Sequence, residues 1–434
     1  MIDHNEMLIA LQDAQEAESD MRNQARHAQL FVNKRDGQWE PEYWQSNDNK
    51  PRYTFDLTSP IVDQVSGALD MADFAINVSP AGGEASEDTA KILSGLIRNI
   101  ENLSYATDIY SAAARNMVTA GIDGWRVVHK YVDSDSFNQD LVIEPIHNYV
   151  DRVWFDVSAE KQDRSDAKFA WVLSGLSPKD YKKQYPNGSG QSVSEDREAT
   201  AYFNKPDLIM VGEYYYIEQE KSDLVMMSSG QVLEDNDDFN TIKDELATMG
   251  VTEVKRRTRM KDTVYVRKFD AQDWLGSKQK TVFSMIPVIP TYGNFRNVED
   301  KTIYFGIVEK LYDPQRVLNY ALSREIEEGA LAPRAKYWMT PKQASGHEDE
   351  LSTLNTNTDP VQFFNVDEAN PGIPQQNGGA QVNPGLSRVS EGMRTMIGQS
   401  AGLFASNMGD NPGLQSGVAI KQLQNKGDIG TIKY

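Results

Sequence analysis

Tyr312-Asp313-Pro314-Gln315-Arg316-Val317-Leu318-Asn319-Tyr320-Ala321-Leu322-Ser323-Arg324-Glu325 is the stretch on which the reading of this chain turns. Gln315, Asn319 and Ser323 recur every fourth residue, so a helix places them in one polar line along its length. Leu311, Leu318, Leu322 and Ile326 lie on another face. Uncharged amides and hydroxyls can hydrogen-bond helix to helix where a buried charge would be costly. Spacing alone leaves open whether this ladder meets a partner or water.

Around the ladder, Lys301 to Leu331 carries a helix pattern broken only by Pro314 and Gly329. Residues 332–383 are punctuated by Pro333, Pro341, Pro360, Pro371 and Pro374, which predicts a small insertion with a short helix near His347–Leu354 and a strand over Val361–Phe364. Asn383-Pro384 opens another helix to about Ser400, with Leu386, Val389, Met393 and Met396/Ile397 as a narrow apolar seam. Residues 401–416 form a Gly/Asn/Pro loop, and a helix pattern resumes near Ser416.

Upstream, residues 3–33 read as one helix. Thr58/Ser59-Pro60 starts a second, reaching about Ala75, followed by a short strand at Ile76–Pro80. Helices are predicted from Ser86 to Ile100 and from Tyr105 to Thr119, the latter stopped by Gly121. Strand patterns cover Trp125–Val132, Leu141–Ile146, Val153–Phe155, Phe169–Leu173, Ile209–Ile217, Leu224–Met227, Thr263–Phe269 and Thr281–Ile289. Ser177-Pro178 opens a short helix, and residues 187–200 read as a surface loop. The class is α+β, with antiparallel hairpins favoured over βαβ units.

The 434 residues are 39% hydrophobic, a thin supply for a core, and carry a net charge of −20. Such a chain repels DNA at a distance, which argues against a repressor, a polymerase or a membrane-surface protein. A conduit through which DNA slides without sticking is compatible with it. The absence of cysteine excludes disulfides, thiolate nucleophiles and Cys-ligated zinc. The five histidines lack metal-ligand spacing, so no metal or cofactor is expected. The first twenty residues do not read as a signal peptide, and no apolar run approaches the ~20 residues that span a bilayer. The chain reads as soluble and intracellular.

Motifs of chemistry are weak. Gly398-Gln399-Ser400-Ala401-Gly402 matches G-x-S-x-G, but a nucleophile elbow needs a strand before the serine. Here a helix precedes it, so Gly402 is read as a helix stop. Gly188-Ser189-Gly190 lacks the third glycine of a dinucleotide loop, and no Walker loop is present. Asp133-Ser134-Asp135 and Asp235-Asn236-Asp237 resemble calcium loops without their Gly and Glu, which leaves solvated acidic turns. The basic run Lys255-Arg256-Arg257-Thr258-Arg259-Met260-Lys261 can touch phosphate or pair with acids such as Glu234 to Asp238 on a neighbour; as it leads into the strand at Thr263, a salt-bridged sheet edge is the favoured reading. No catalytic residue is assigned, and no enzyme is expected.

The D-P-Q-x-x-x-N-x-x-x-S helix of Asp313–Ser323 resembles the stem helix of tailed-phage portal proteins, of the long type found in short-tailed double-stranded DNA phages. Other pieces agree in order: Gly37-Gln38-Trp39, Pro51-Arg52 to Phe55, Ser59-Pro60-Ile61-Val62 to Gly67, Ala120–Gly124 before a strand, Ile143-Glu144-Pro145 with Val153–Asp156, and Ser416–Gln422.

The resemblance implies an elongated subunit of a ring, twelve copies in the family assembly, at one capsid vertex. It maps residues 1–300 to an α/β wing, 301–331 and 384–400 to two stem helices, and 332–383 to a small α/β clip between them. Residues 401–416 become a tunnel loop and 417–434 the start of a wing or crown helix. Long family members run further, so the ending at Lys433-Tyr434 is expected to be a truncation.

Implied partners are further copies of the chain, the packaging terminase, tail adaptor proteins, major capsid and scaffolding proteins, and passing double-stranded DNA, without a membrane. The implied place is the virion, after assembly in the host cytoplasm. Gln315, Asn319, Ser323 and Arg324 become candidates for the contact between subunits. Lys310, Arg316, Arg394, Gly402 and Asn407 become candidates for the DNA channel. For Lys310, Arg316, Arg324 and Arg394, pairing with Glu309, Glu325 and Glu327 between subunits is favoured over phosphate contact. The alternative function is another virion structural protein, such as a tail adaptor or assembly factor.

Overall fold

A computed structural model of the protein describes residues 3–42, 50–71, 76–81, 86–193, 208–299, 301–331, 336–353, 361–369, 371–377 and 383–402. They divide into two compact units. One contains the described residues up to Gln29 with Val62–Glu309; the other contains Leu30–Ile61 with the described residues from Lys310 onward.

The described chain opens with α1 (His4–Ala17) and α2 (Ser19–Asn33) instead of one helix, and α2 runs on into the second unit from Leu30. The break falls at Glu18, whose backbone leaves the helical region, and Ser19-Asp20 restart the spiral with residues suited to a first turn. Glu18 also accepts a bond from Arg22 Nε at 2.9 Å. Helices α3 (Thr58–Asp70), α4 (Glu87–Leu103) and α5 (Ala106–Ala120) follow near their expected places. Residues 76–81 form no strand. The Val78 amide donates to Ser94 Oγ of α4 at 3.1 Å, so this backbone donor is taken by a side chain.

Strands β1 (Ile122–Tyr131), β2 (Gln139–Pro145), β3 (Val153–Phe155) and β4 (Phe169–Leu176) lead to α6 (Pro178–Gln184), capped by Ser177. The two strands expected after residue 208 are one, β5 (Ile209–Met227). After β6 (Val232–Glu234) comes α7 (Asp237–Thr248), a helix the sequence reading missed. Its cap is Asn236, whose Oδ1 accepts from Phe239 N at 2.9 Å, within the supposed calcium-like turn. The remaining strands are β7 (Glu253–Phe269), β8 (Gln279–Lys280), β9 (Val288–Tyr292), β10 (Asn294–Val298) and β11 (Lys301–Phe305). The strand expected at Thr281–Ile289 therefore begins only at Val288. The helix expected from Lys301 is first a strand.

The pairings are antiparallel among the described residues: β2-β1-β9, the hairpin β10-β11, and β3-β4-β5-β7-β8 with β6 beside β5. Strands β5 and β7 pair from Gly212↔Phe269 to Met227↔Glu253, with a register shift at Met226/Met227. Their outer halves escaped the sequence reading because charges, not alternating apolar residues, knit them. Lys261 reaches Glu234 at 2.8 Å, Arg259 reaches Glu234 at 3.6 Å and Arg256 reaches Asp235. The basic run is thus salt-bridged within the ribbon. A core of Met7, Leu11 and Ala14 from α1 packs on Trp154, Trp171, Leu173, Met210, Tyr214 and Phe269 of the larger sheet.

The second unit holds α8 (Tyr312–Leu331), with Pro314 inside its first turn, where a missing amide costs nothing. Strands β12 (Lys336–Trp338) and β13 (Gln375–Asn377) pair around α9 (Pro341–Ala344) and α10 (Glu348–Ser352). Residues 361–366, expected to hold a strand, have no regular structure. Helix α11 (Pro384–Ser400) starts as predicted, with Asn383 Oδ1 accepting from Gly385 N at 2.9 Å. It packs on α8. The buried positions along it are Ser390, Ile397 and Ala401, with Leu386 and Met393 half-buried, whereas Val389 and Met396 are exposed. The seam therefore steps 386, 390, 393, 397, with a small Ser390 where the sequence pattern suggested Val389. Ser387 Oγ donates to Glu325 Oε1 at 2.6 Å across the helix pair.

Candidate functional site: a buried amide ladder

Gln315, Asn319 and Ser323 are essentially fully buried, at 0%, 0% and 1% exposure. Their partner is neither water nor another helix. It is the extended segment 53–57 of the same unit. Gln315 Nε2 donates to Phe55 O at 2.8 Å, and its Oε1 accepts from Leu57 N at 3.2 Å. Asn319 Oδ1 accepts from Phe55 N at 2.9 Å. Ser323 Oγ accepts from Tyr53 N at 3.0 Å and donates to Tyr53 O at 3.3 Å. Residues 57, 55 and 53 thus descend in step with 315, 319 and 323. The match is geometric: four helical residues rise about 6.0 Å, and two extended residues advance about 6.6–6.8 Å. Side chains of α8 do for this segment what a neighbouring strand does in a sheet.

The ladder continues sideways. Asn319 Nδ2 donates to Gln38 Oε1 at 2.9 Å, and Gln38 Nε2 donates to Asp56 Oδ1 at 2.9 Å. Asp56 Oδ1 in turn accepts from Thr58 N at 2.9 Å and Ser59 N at 3.2 Å, which caps the first turn of α3. Gln315 Nε2 also donates to Asn319 Oδ1 at 3.0 Å. Trp39 Nε1 donates to Thr54 Oγ1 at 3.2 Å on the same segment. Each buried amide is satisfied, the condition under which a buried polar network stiffens a fold. Gln38 and Asp56 were not singled out from the sequence. The signal for Gln38 was present but diffuse, in the short piece Gly37-Gln38-Trp39, and Asp56 lay just past the piece Pro51–Phe55.

The other candidates scatter. Arg316 pairs with Glu40 at 2.9 Å and lies over the Tyr312 and Phe31 rings. Arg324 pairs with Glu327 one turn on. Within the chain Glu309 pairs with Arg296, and Glu325 accepts from Ser387. Lys310 and Arg394 are exposed. Gly402 sits at φ +73°, and its amide bonds Gln399 O at 3.0 Å, so the G-x-S-x-G stretch is a helix end with Ser400 still helical. Asn407 lies outside the described residues.

In the first unit, Ser189 of the glycine pair answers to Asp270, which is 0% exposed. Asp270 Oδ2 accepts from Tyr181 Oη at 2.6 Å, Ser189 N at 3.0 Å and Ser189 Oγ at 2.8 Å. Its Oδ1 accepts from Asp273 N at 2.7 Å and Gln272 N at 2.9 Å. Burial alone would push its pKa up, but these donors outweigh it and hold the carboxyl below the usual carboxylate range. Its stabilising effect is therefore complete above the ordinary carboxylate pKa and is lost as pH falls through the depressed value. We expect Asp270→Asn to cost about 2 kcal/mol in urea unfolding at pH 7. That gap should narrow as pH falls below the ordinary carboxylate range, and a gap constant with pH would contradict the assignment.

No group of three or more metal-ligating side chains occurs among the described residues, and none of their helices is long and apolar enough to cross a membrane. The polar face of α8 is spent on holding a backbone segment in place. The chain belongs to the phage P22-like portal protein family, whose model matches residues 9–434. It is also similar to the portal protein of Acyrthosiphon pisum secondary endosymbiont phage 1, at 26% identity over 334 residues. That alignment covers 74% of this chain and 46% of the relative, so the chain spans about half the length of the curated relative it matches.

Proposed function

We propose that the chain is a portal subunit that closes with copies of itself into a ring of about twelve at a capsid vertex. DNA would enter and leave through the ring, which would also dock the packaging terminase, the tail adaptor and the capsid and scaffolding proteins. The observation that carries this reading is the family match along nearly the whole chain. In this reading residues 1–300 are wing, 301–331 with α8 and 384–400 with α11 are the two stem segments, 332–383 are clip, 401–416 are tunnel loop and 417–434 begin a wing or crown helix.

The physical chemistry supports the assignment. A chain of net charge −20 gives an acidic wall against which DNA slides without tight phosphate contacts. Arg316 and Arg324 are engaged by Glu40 and Glu327, and Lys310, Arg316, Arg394 and Gly402 remain the channel candidates among the described residues. Gln315, Asn319 and Ser323 would serve the subunit contact indirectly, by fixing segment 53–57 against α8.

Electron microscopy of the purified chain tests the reading. End-on views are expected to show closed rings of about a dozen copies, with a central opening wide enough to pass duplex DNA. Monomers alone by native mass spectrometry, across salt and concentration, would overturn it.

A further inference from the structure

Strands β5 and β7 run past the rest of their sheet. Strand β4 pairs with β5 no further than Tyr216, and β8 meets β7 only at Tyr265 and Val266. Beyond these points β5 has β6 beside it at Leu224–Met226, whereas β7 has no strand on its other side among the described residues. The register tells which backbone groups are left over. Val264 N donates to Phe283 O at 3.3 Å, and Val264 O accepts from Thr281 N at 3.0 Å, both on the side away from β5. With a period of two, the N–H and C=O groups of Arg256, Thr258, Met260 and Asp262 point the same way. No hydrogen bond reaches them among the described residues. A strand edge about 23 Å long is thus unpaired.

The same edge is cationic. Lys255, Arg257, Arg259 and Lys261 alternate along β7 and so share one face. Arg259 and Lys261 reach Glu234 of β6. Lys255 and Arg257 are exposed and pair with no acid among the described residues. Two β7 edges would repel each other: an antiparallel pair centred anywhere from Thr258 to Met260 sets cation against cation. The edge is closed to itself and open to an acidic strand.

The chain contains such a strand. Strand β2 is the outer strand of its sheet, and Ile143 N, which donates to Ser104 Oγ, marks its outward side. The backbone of Gln139 and Leu141 faces the same way, again without a partner among the described residues. Asp140 lies opposite Lys130, but Lys130 reaches Glu144 instead. Asp133 and Asp135 of the preceding turn also pair with no cation among the described residues, and Phe137 beside them is 98% exposed.

Given the ring reading of the function, on which this rests, we propose that the β7 edge of one copy takes the β2 edge of the next. The two sheets then continue into one another across the subunit boundary. The edges are different surfaces, so the contact is head-to-tail and repeats from copy to copy, as a ring requires. Backbone hydrogen bonds supply affinity, and acids set against the cation row select the partner. Duplex DNA could answer the cations but would leave the backbone edge unused.

The chain has no cysteine, so introduced ones report without background. Gln139→Cys with Thr258→Cys, treated with a short bis-maleimide, should give a ladder of dimers, trimers and higher species on denaturing gels. Each single variant should stay monomeric. Dimers from Thr258→Cys alone would show β7 pairing with itself, and the double variant without a ladder would show that the edges do not meet; either result overturns the proposal. Electron micrographs of the unaltered chain keep the two readings apart. Rings without a ladder would leave the ring and remove this contact, and a ladder without rings would do the reverse. Lys255→Glu with Arg257→Glu should raise the concentration needed for association at least about tenfold. Adding Asp135→Lys and Asp140→Lys to that variant should restore it. Charge reversal that weakens binding of a short DNA duplex but leaves association unchanged would assign the row to phosphate and overturn the proposal too.

Discussion

Replacing Gln315 and Asn319 together with leucine is expected to destabilise the second unit by at least about 4 kcal/mol. The volumes are nearly kept, so the loss is one of hydrogen bonds. Leu57 N, both backbone groups of Phe55 and Gln38 Oε1 lose their partners at once. A buried polar group left unpaired costs roughly 1–3 kcal/mol, and four such groups set the lower bound. Urea unfolding followed by circular dichroism reads the effect. Limited proteolysis should also begin to cut near residues 50–57. A change under 1 kcal/mol would show that the segment finds other partners and that the ladder is not its support.

Gly121→Ala is expected to cost at least about 3 kcal/mol, for two separable reasons. Gly121 ends α5 at φ +86°, a conformation that costs an L-residue about 1 kcal/mol or more. In addition, a Cβ there would overlap the Phe305 backbone of β11 far inside van der Waals contact. Backbone cannot swing aside as a side chain can, so β11 would have to move away from α5. Gly250→Ala supplies the control, with φ +80° and open space where its Cβ would lie. It should cost only about 1 kcal/mol, by the conformational term alone. Equal losses for the two variants in thermal or urea unfolding would mean that the close approach of α5 and β11 carries no energy.

Much of the element order could be read from residue types. Asn383-Pro384, Ser177-Pro178, Ser86 and Gly121 mark helix ends by local chemistry, and the structure uses each of them in that way. The readings that failed share a cause. Where β5 and β7 run on as a charged ribbon, cross-strand ion pairs replace the apolar alternation on which strand recognition depends. At α11, Val389 fits a heptad as well as Ser390 does, and only the packing of α8 selects the serine. At residues 301–305, helical spacing in the sequence gives way to pairing with β10, a tertiary competitor invisible to a local window.

The ladder marks the boundary most clearly. Residue spacing alone determined that Gln315, Asn319 and Ser323 share one helix face, because the α-helix repeats nearly every four residues. It also determined that this face is uncharged, that the chain is acidic and free of cysteine, and that its ordered motifs resemble portal proteins. Only the tertiary structure decided what the face touches. The partner lies some 260 residues earlier and contributes mainly backbone, whose N–H and C=O groups are the same whatever the side chains. A contact made to the main chain leaves almost no trace in residue type, so folding had to reveal it.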